Sequence, residues 1–312
     1  AAAMSLLDIA AKIKAEGIVK AESPKKIKQD LSDYEDFMSV RPVLSSEPVK
    51  KTKKTVAKTT AKPKSKTTPK KTVSKPVEVK PIKKVKLFGA VIIDNLDELL
   101  MDKTTETTIL WATDSYEHDP ATNVAKEQIL ELINNGQLQP RVYKSLEERK
   151  ERTKKKAEVF TPSWICKKMI DMCEEQVDMD WKTYVKSNWL EITCGEGPYL
   201  CSRYDTTTGE EIPVNERIGV IDRKLQRVSA NCDDSDSWMK AARSAYMHTY
   251  GYEYQGDNLF IARVNLVQSF IEHYENKFGK KPRIDAIRNI MNIIVHNIWQ
   301  MDGLKDTIPF TD

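Results

Sequence analysis

Cysteine pairs of metal-binding spacing are missing from this 312-residue chain. Its five cysteines, Cys166, Cys173, Cys194, Cys201 and Cys232, form no C-x-x-C pair, and the four histidines stand far from them in sequence. A zinc site is therefore not expected, and no other metal is called for. An apolar run of transmembrane length is also missing, and no signal peptide is read at the start. With an odd cysteine count, these absences predict a reducing, cytoplasmic setting with no membrane partner. Residues 50–86 lack aromatics and leucine and carry one acid, Glu78, against 15 lysines and four prolines. Such a stretch cannot offset its ordering entropy by burial, so it is expected to be disordered. Its net charge is +14 in a chain of +4, which leaves −10 for the rest, so the folded part is acidic. A lysine-dense tail attracts phosphate backbones with little sequence information, or serves as a soluble spacer. Composition supports both readings equally.

The remaining chain, 40% hydrophobic overall, is long enough to bury a core. The opening AAAM reads as a cloning scar or an upstream-extended reading frame. Residues 5–19 carry Leu6, Ile9 and Ile13 at helical spacing before Gly17, which predicts a short amphipathic helix followed by a linker through residue 49. Order is expected to resume near Leu87 with LFGAVIIDNLDELL and ILWATDSYE. A helix is expected over 121–135, closed by Gly136. Residues 87–156 thus read as a small, mostly helical subdomain. Its last segment, KSLEERKERTKKK at 144–156, reads by default as a solvated charged face, with a DNA-backbone contact as the alternative.

From residue 157 the pattern becomes strands alternating with helices, which predicts an α/β domain over 157–312 with a parallel sheet covered on both faces. Thr161 and Pro162 suit the start of its first helix, as cap and first helical residue. The strongest local signal is WLEITCGEGPYL at 189–200, read as a strand, a tight turn and a helix opened by Pro198. Gly195 and Gly197 let the backbone bend and approach a ligand. A dinucleotide site would show a third glycine and offer a bare helix N-terminus to pyrophosphate. Here Glu191 ends the strand and Glu196 sits in the turn, which suits a cofactor with a positive end, such as the ammonium and sulfonium of S-adenosylmethionine. By itself C-G-x-G also fits an ordinary strand-to-helix turn.

The surrounding segments carry a resemblance. AEVFTP at 157–162, with Phe160, Thr161 and Pro162, resembles the F-T-P element of restriction-modification adenine methylases. LEITCGEG, with Glu191, Thr193, Cys194, Gly195 and Gly197, resembles their first motif, which wraps the methionine end of the cofactor. For the acid that binds the ribose hydroxyls, RIGVID at 217–222 offers Asp222 and YGYE at 250–253 offers Glu253. Glu253 is slightly favoured, because GDNLFIARVNL follows it and resembles the A-R-x-N-L helix; residues 206–214 (TTTGEEIPV) are then an inserted hairpin. The stripe Leu259, Ala262, Leu266, Phe270 and Tyr274 along the next helix reads as core. IIVHNIW at 293–299 reads as a last strand leading to Asp302, the match for the acid that accepts from the cofactor's adenine amine. His296 reads as a satisfied structural histidine. Together, six ordered stretches between residues 87 and 310 make the chain similar to the group of phage and bacterial proteins described as restriction endonuclease subunit M, or type II modification methylase.

The resemblance implies a Rossmann-like S-adenosylmethionine-dependent methyltransferase fold and a site-specific DNA methyltransferase acting on an adenine amine. The partners it implies are DNA and a restriction or specificity subunit. The Asn/Asp-Pro-Pro-Tyr segment that would hold the target base does not occur in these 312 residues; it would fall beyond Asp312. The chain is then a fragment, or a partner completes it, or it binds cofactor without turnover as a DNA-binding subunit. No residue matches the family's catalytic position. A nicotinamide-dependent reductase is disfavoured by the missing third glycine. A purely electrostatic architectural protein would lose all function with residues 1–86.

Overall fold

A computed structural model describes residues 86–156, 158, 161–175, 179–303 and 305–311. The helix expected at 5–19, its linker and the lysine-rich segment up to residue 85 lie outside the described residues, as does Phe160. The described residues all fall in one compact unit, 81–312.

The first elements are helices α1 (Ala90–Ile93) and α2 (Leu96–Leu100), whose apolar residues Ile92, Leu96, Leu99 and Leu100 are fully buried. A two-stranded antiparallel ribbon follows, β1 (Met101–Asp102) with β2 (Thr107–Thr108). Helix α3 runs Lys126–Asn134, shorter than the expected 121–135 because residues 110 and 123 pair as a β-bridge. Gly136 follows its C-cap with φ +73°. Helix α4 (Leu146–Lys156) takes up most of the charged segment, with two departures from the solvated reading of 144–156: Lys144 and Arg152 are 7% and 5% exposed. Helix α5 (Ser163–Glu174) starts one residue later than expected, with Pro162 as N-cap. The Thr161 side chain makes no cap; its carbonyl accepts from Thr206 Oγ1 at 2.8 Å.

After α6 (Trp181–Val185) comes a parallel sheet of β3 (Trp189–Glu191), β4 (Thr249–Glu253) and β5 (Ile298–Gln300), in that order. Helices α7 (Val220–Asn231) and α8 (Ser235–Met247) connect β3 to β4; α9 (Gly256–Phe278) and α10 (Ile284–Asn297) connect β4 to β5. The α/β expectation stands, with a small sheet. Burial alternates along β4 and β5, so one face is covered and the other, carrying the stacked rings of Tyr252 and Trp299 at 5.6 Å, is half-buried. Both faces were expected to be covered.

Three further expectations change. No helix follows Pro198: a single turn closes with Cys201 N–H donating to the Gly197 carbonyl, and an irregular connection runs to α7. Arg203 and Tyr204 draw that connection inward, to Glu272 and Glu196 respectively. The 217–222 segment is no strand; Val220 opens α7 and places Asp222 in its first turn. Most of 293–299 belongs to α10, because Ile287, Ile290, Met291, Ile294 and Val295 recur at helical spacing and all are buried. The expected core stripe on α9 is fully inside. The hairpin expected at 206–214 is shifted: an antiparallel bridge pairs Tyr204 with Glu211, and Val214 opens a short 3-10 turn.

Candidate functional site

Parallel strands in an open sheet send their carboxyl ends to one edge, where ligands of α/β proteins bind. Here β3 ends on Glu191, β4 ends on Glu253, and Asp302 follows β5 by two residues. All three line one cleft of about 510 Å³, within the range of small-molecule and cofactor sites, about 300–1,000 Å³. Thr161, Thr193, Cys194 and Gly195 line it as well.

The turn after β3 shapes the floor. Gly195 and Gly197 have φ +55° and +81°, a region that costs L-residues energy. Cys194 N–H continues the ladder to the Tyr252 carbonyl at 2.8 Å, and Gly197 N–H closes the turn on the Cys194 carbonyl at 2.7 Å. Gly195 N–H donates to Glu253 Oε2 at 2.8 Å, which ties the turn to the end of β4. Glu253 Oε1 accepts from Gln255 N–H at 3.1 Å.

Burial dominates the electrostatics. It pushes the Glu253 carboxyl up to about 7, against the pull of its two N–H donors. Burial, and then the charge of Glu253, hold Glu191 well above the ordinary carboxylate range. Glu191 Oε2 is buried and has no hydrogen-bond partner. Two carboxyls that resist ionising together in a cleft favour a ligand carrying positive charge or hydrogen-bond donors. Burial also raises the Cys194 thiol well above its usual value, so it is a poor nucleophile.

Of the other sequence candidates, Pro162 and Gly197 do not line the cleft; Gly197 instead packs near Ala262. Asp222 is fully buried away from it. Its Oδ2 accepts from Ser202 N–H at 2.7 Å and its Oδ1 pairs with His273 Nε2 at 2.9 Å, an internal network that fastens α7 to α9. His296 is exposed and its Nδ1 sits 2.6 Å from the carbonyl of Asn292, one helical turn back. Glu196 points behind the turn, accepting from Arg141 N–H and from the Tyr204 hydroxyl at 2.6 and 2.7 Å.

Sequence reasoning missed Glu158, Gln255 and Asn258, which line the cleft, and the charge that holds them. Arg152 Nε meets Glu158 Oε2 at 2.5 Å, and its Nη1 meets Asp257 Oδ2 at 2.9 Å. Its Nη2 reaches Gln255 Oε1 at 3.5 Å and Asn258 Oδ1 at 3.4 Å. Burial opposes the Asp257 charge, yet Arg152 and Lys144 hold that carboxyl below its usual value. The only sequence signal was an arginine among lysines on a charged helix, and nothing in that pattern marks it as buried. Among the described residues no group of His, Cys, Asp and Glu is arranged to hold a metal ion, and no helix is long and apolar enough to cross a membrane.

No protein-family model matches the chain, and searches of curated proteins and of solved structures gave no match.

Proposed function

We propose that the chain is an S-adenosylmethionine-dependent methyltransferase with a Rossmann-like fold, acting on an adenine amine in DNA in the cytoplasm of a bacterial or phage-infected cell. The observation that carries this reading is the delivery of Glu191, Glu253 and Asp302 by three adjacent parallel strands to one cleft, around a turn with two left-handed glycines. The residues present fit the cofactor: a buried, unpartnered carboxylate oxygen on Glu191 suits an ammonium group, and the Gly195 turn leaves room for it. Glu191 and the Gly195 turn would hold the amino-acid end, Glu253 the ribose side and Asp302 the adenine amine. Asp222, sealed in its own network, is not among them.

When bound, the cofactor supplies an electrophilic methyl group on a sulfonium. The chain's own residues then have to exclude water, orient the two partners and stabilise developing charge. The +14 charge of residues 50–86 also suits a second reading, a cofactor- and DNA-binding subunit that gains turnover only with a partner in a restriction-modification complex. Incubating the chain with duplex DNA and radiolabelled S-adenosylmethionine separates the two. Label in adenine supports the enzyme. Cofactor binding without label supports the subunit, and neither binding nor label removes both.

A further inference from the structure

The ribose hydroxyls of the proposed cofactor need acceptors that still have room. Each Glu253 oxygen already accepts one backbone N–H, from Gly195 and Gln255, which leaves Glu253 only part of its acceptor capacity. Asp222 is sealed away from the cleft. Glu158 differs from both. Its side chain is 5% exposed, it lines the cleft, and its Oε1 accepts no hydrogen bond. Arg152 clamps its Oε2 at 2.5 Å, and Arg141 Nε stands 3.4 Å from Oε1. The same Arg152 guanidinium touches Gln255 and Asn258, so Glu158 is held beside the residues that follow β4. Two guanidiniums already compensate the charge of Glu158. A neutral donor such as a hydroxyl therefore suits the unpartnered oxygen better than a further cation, and a buried acceptor without a donor gains most when one arrives.

We propose that Glu158 is a ligand-binding residue of this cleft, its Oε1 accepting from a ribose hydroxyl, with Arg152 as the residue that positions it. The inference rests on the cofactor reading above and adds a residue from the segment before α5. It predicts that recognition of the sugar is divided between the end of β4 and the segment before α5.

The test pairs a protein change with a ligand change. Adenosine, 2′-deoxyadenosine and 3′-deoxyadenosine are used to displace S-adenosylmethionine from wild type, Glu158→Gln and Glu158→Asp in calorimetric competition. Wild type is expected to prefer adenosine over at least one deoxy form by about tenfold, the size of one hydrogen bond to a charged group. In both variants that preference falls to within about twofold, through weaker adenosine binding, while the affected deoxy form binds as before. Glu158→Asp keeps the charge between the two arginines and so guards against a folding defect in Glu158→Gln. A variant that keeps the wild-type ratio, or a wild type that binds the cofactor but ignores both hydroxyls, overturns the assignment. A folded wild type that binds no S-adenosylmethionine overturns the cofactor reading itself, and this inference with it.

Discussion

Glu196 illustrates how much a single buried carboxyl sets the behaviour of this site. It is 3% exposed, and burial pushes it up to about 7 from an ordinary 4.5. Because the folded pKa lies above the unfolded one, the folded state holds the extra proton between these values. The stability this confers is complete below about pH 4.5 and lost as pH rises through 7. Glu196→Gln removes the charge while Gln can still accept from Arg141 N–H and donate to the Tyr204 hydroxyl. The variant is expected to be more stable than wild type by roughly 1–3 kcal/mol at pH 8 and nearly equal to it at pH 5. Urea unfolding at the two pH values checks this; a variant less stable at both would show that the hydrogen bonds outweigh the buried charge. At this scale the sequence was informative where a residue type is demanded by backbone shape, as at Gly195 and Gly197. It was silent where a role depends on how the chain turns back on itself: nothing around Glu158 or Arg152 announces that they meet. Asp222 and Glu253 looked alike for the same reason, each an acid after an apolar run, and only the burial of Asp222 against His273 tells them apart.

The elements are joined at a few close approaches. Gly256 opens α9 directly under the 109–113 segment: its N–H donates to the Trp111 carbonyl at 2.9 Å, and a Cβ there would lie 2.1 Å from the Leu110 carbonyl oxygen. Backbone against backbone cannot yield cheaply, so Gly256→Ala is expected to cost about 3 kcal/mol or more. Gly136→Ala, which meets nothing within 4 Å and suffers only from its φ of +73°, is expected to cost about 1 kcal/mol. Equal costs in urea unfolding would contradict this account of the joint. Buried Arg263 reinforces the same region, donating to the carbonyls of Leu99, Met101 and Ile298. Helix α9 was legible from its apolar stripe, whereas the boundary between α10 and β5 was not. Ile293 to Trp299 is apolar except for His296 and Asn297, and a short, mostly apolar run fits a strand as well as a buried helix end. The irregular connection after Pro198 was equally hidden, because it is stabilised by long-range pairs such as Arg203 with Glu272 rather than by local signals.

For the whole molecule the charge division matters most. Residues 50–86 carry +14 and the remainder of the chain −10. An acidic body repels duplex DNA, so the lysine-rich segment should supply most of the electrostatic attraction. Deleting residues 50–80, which leaves the 81–312 unit whole, is expected to weaken binding to arbitrary duplex DNA at low salt by at least about tenfold and to flatten its salt dependence. Thermal unfolding and cofactor affinity should be unchanged, since the described residues form a separate unit. A deletion that leaves DNA binding and its salt slope intact would make the segment a spacer.

The claim on which the rest depends is that the cleft at the strand ends takes S-adenosylmethionine. Calorimetric titration of the cofactor into wild type and a Gly195→Asp, Gly197→Asp double variant addresses it directly. Saturable binding is expected in wild type and none in the double variant, whose added side chains would fill and strain the turn. Binding should also weaken from pH 8 to pH 6, because Glu253, held at about 7, takes up a proton over that range and is then a poorer acceptor for the ribose hydroxyls. A folded wild type with no heat of binding, or a double variant that binds equally well, would contradict the account.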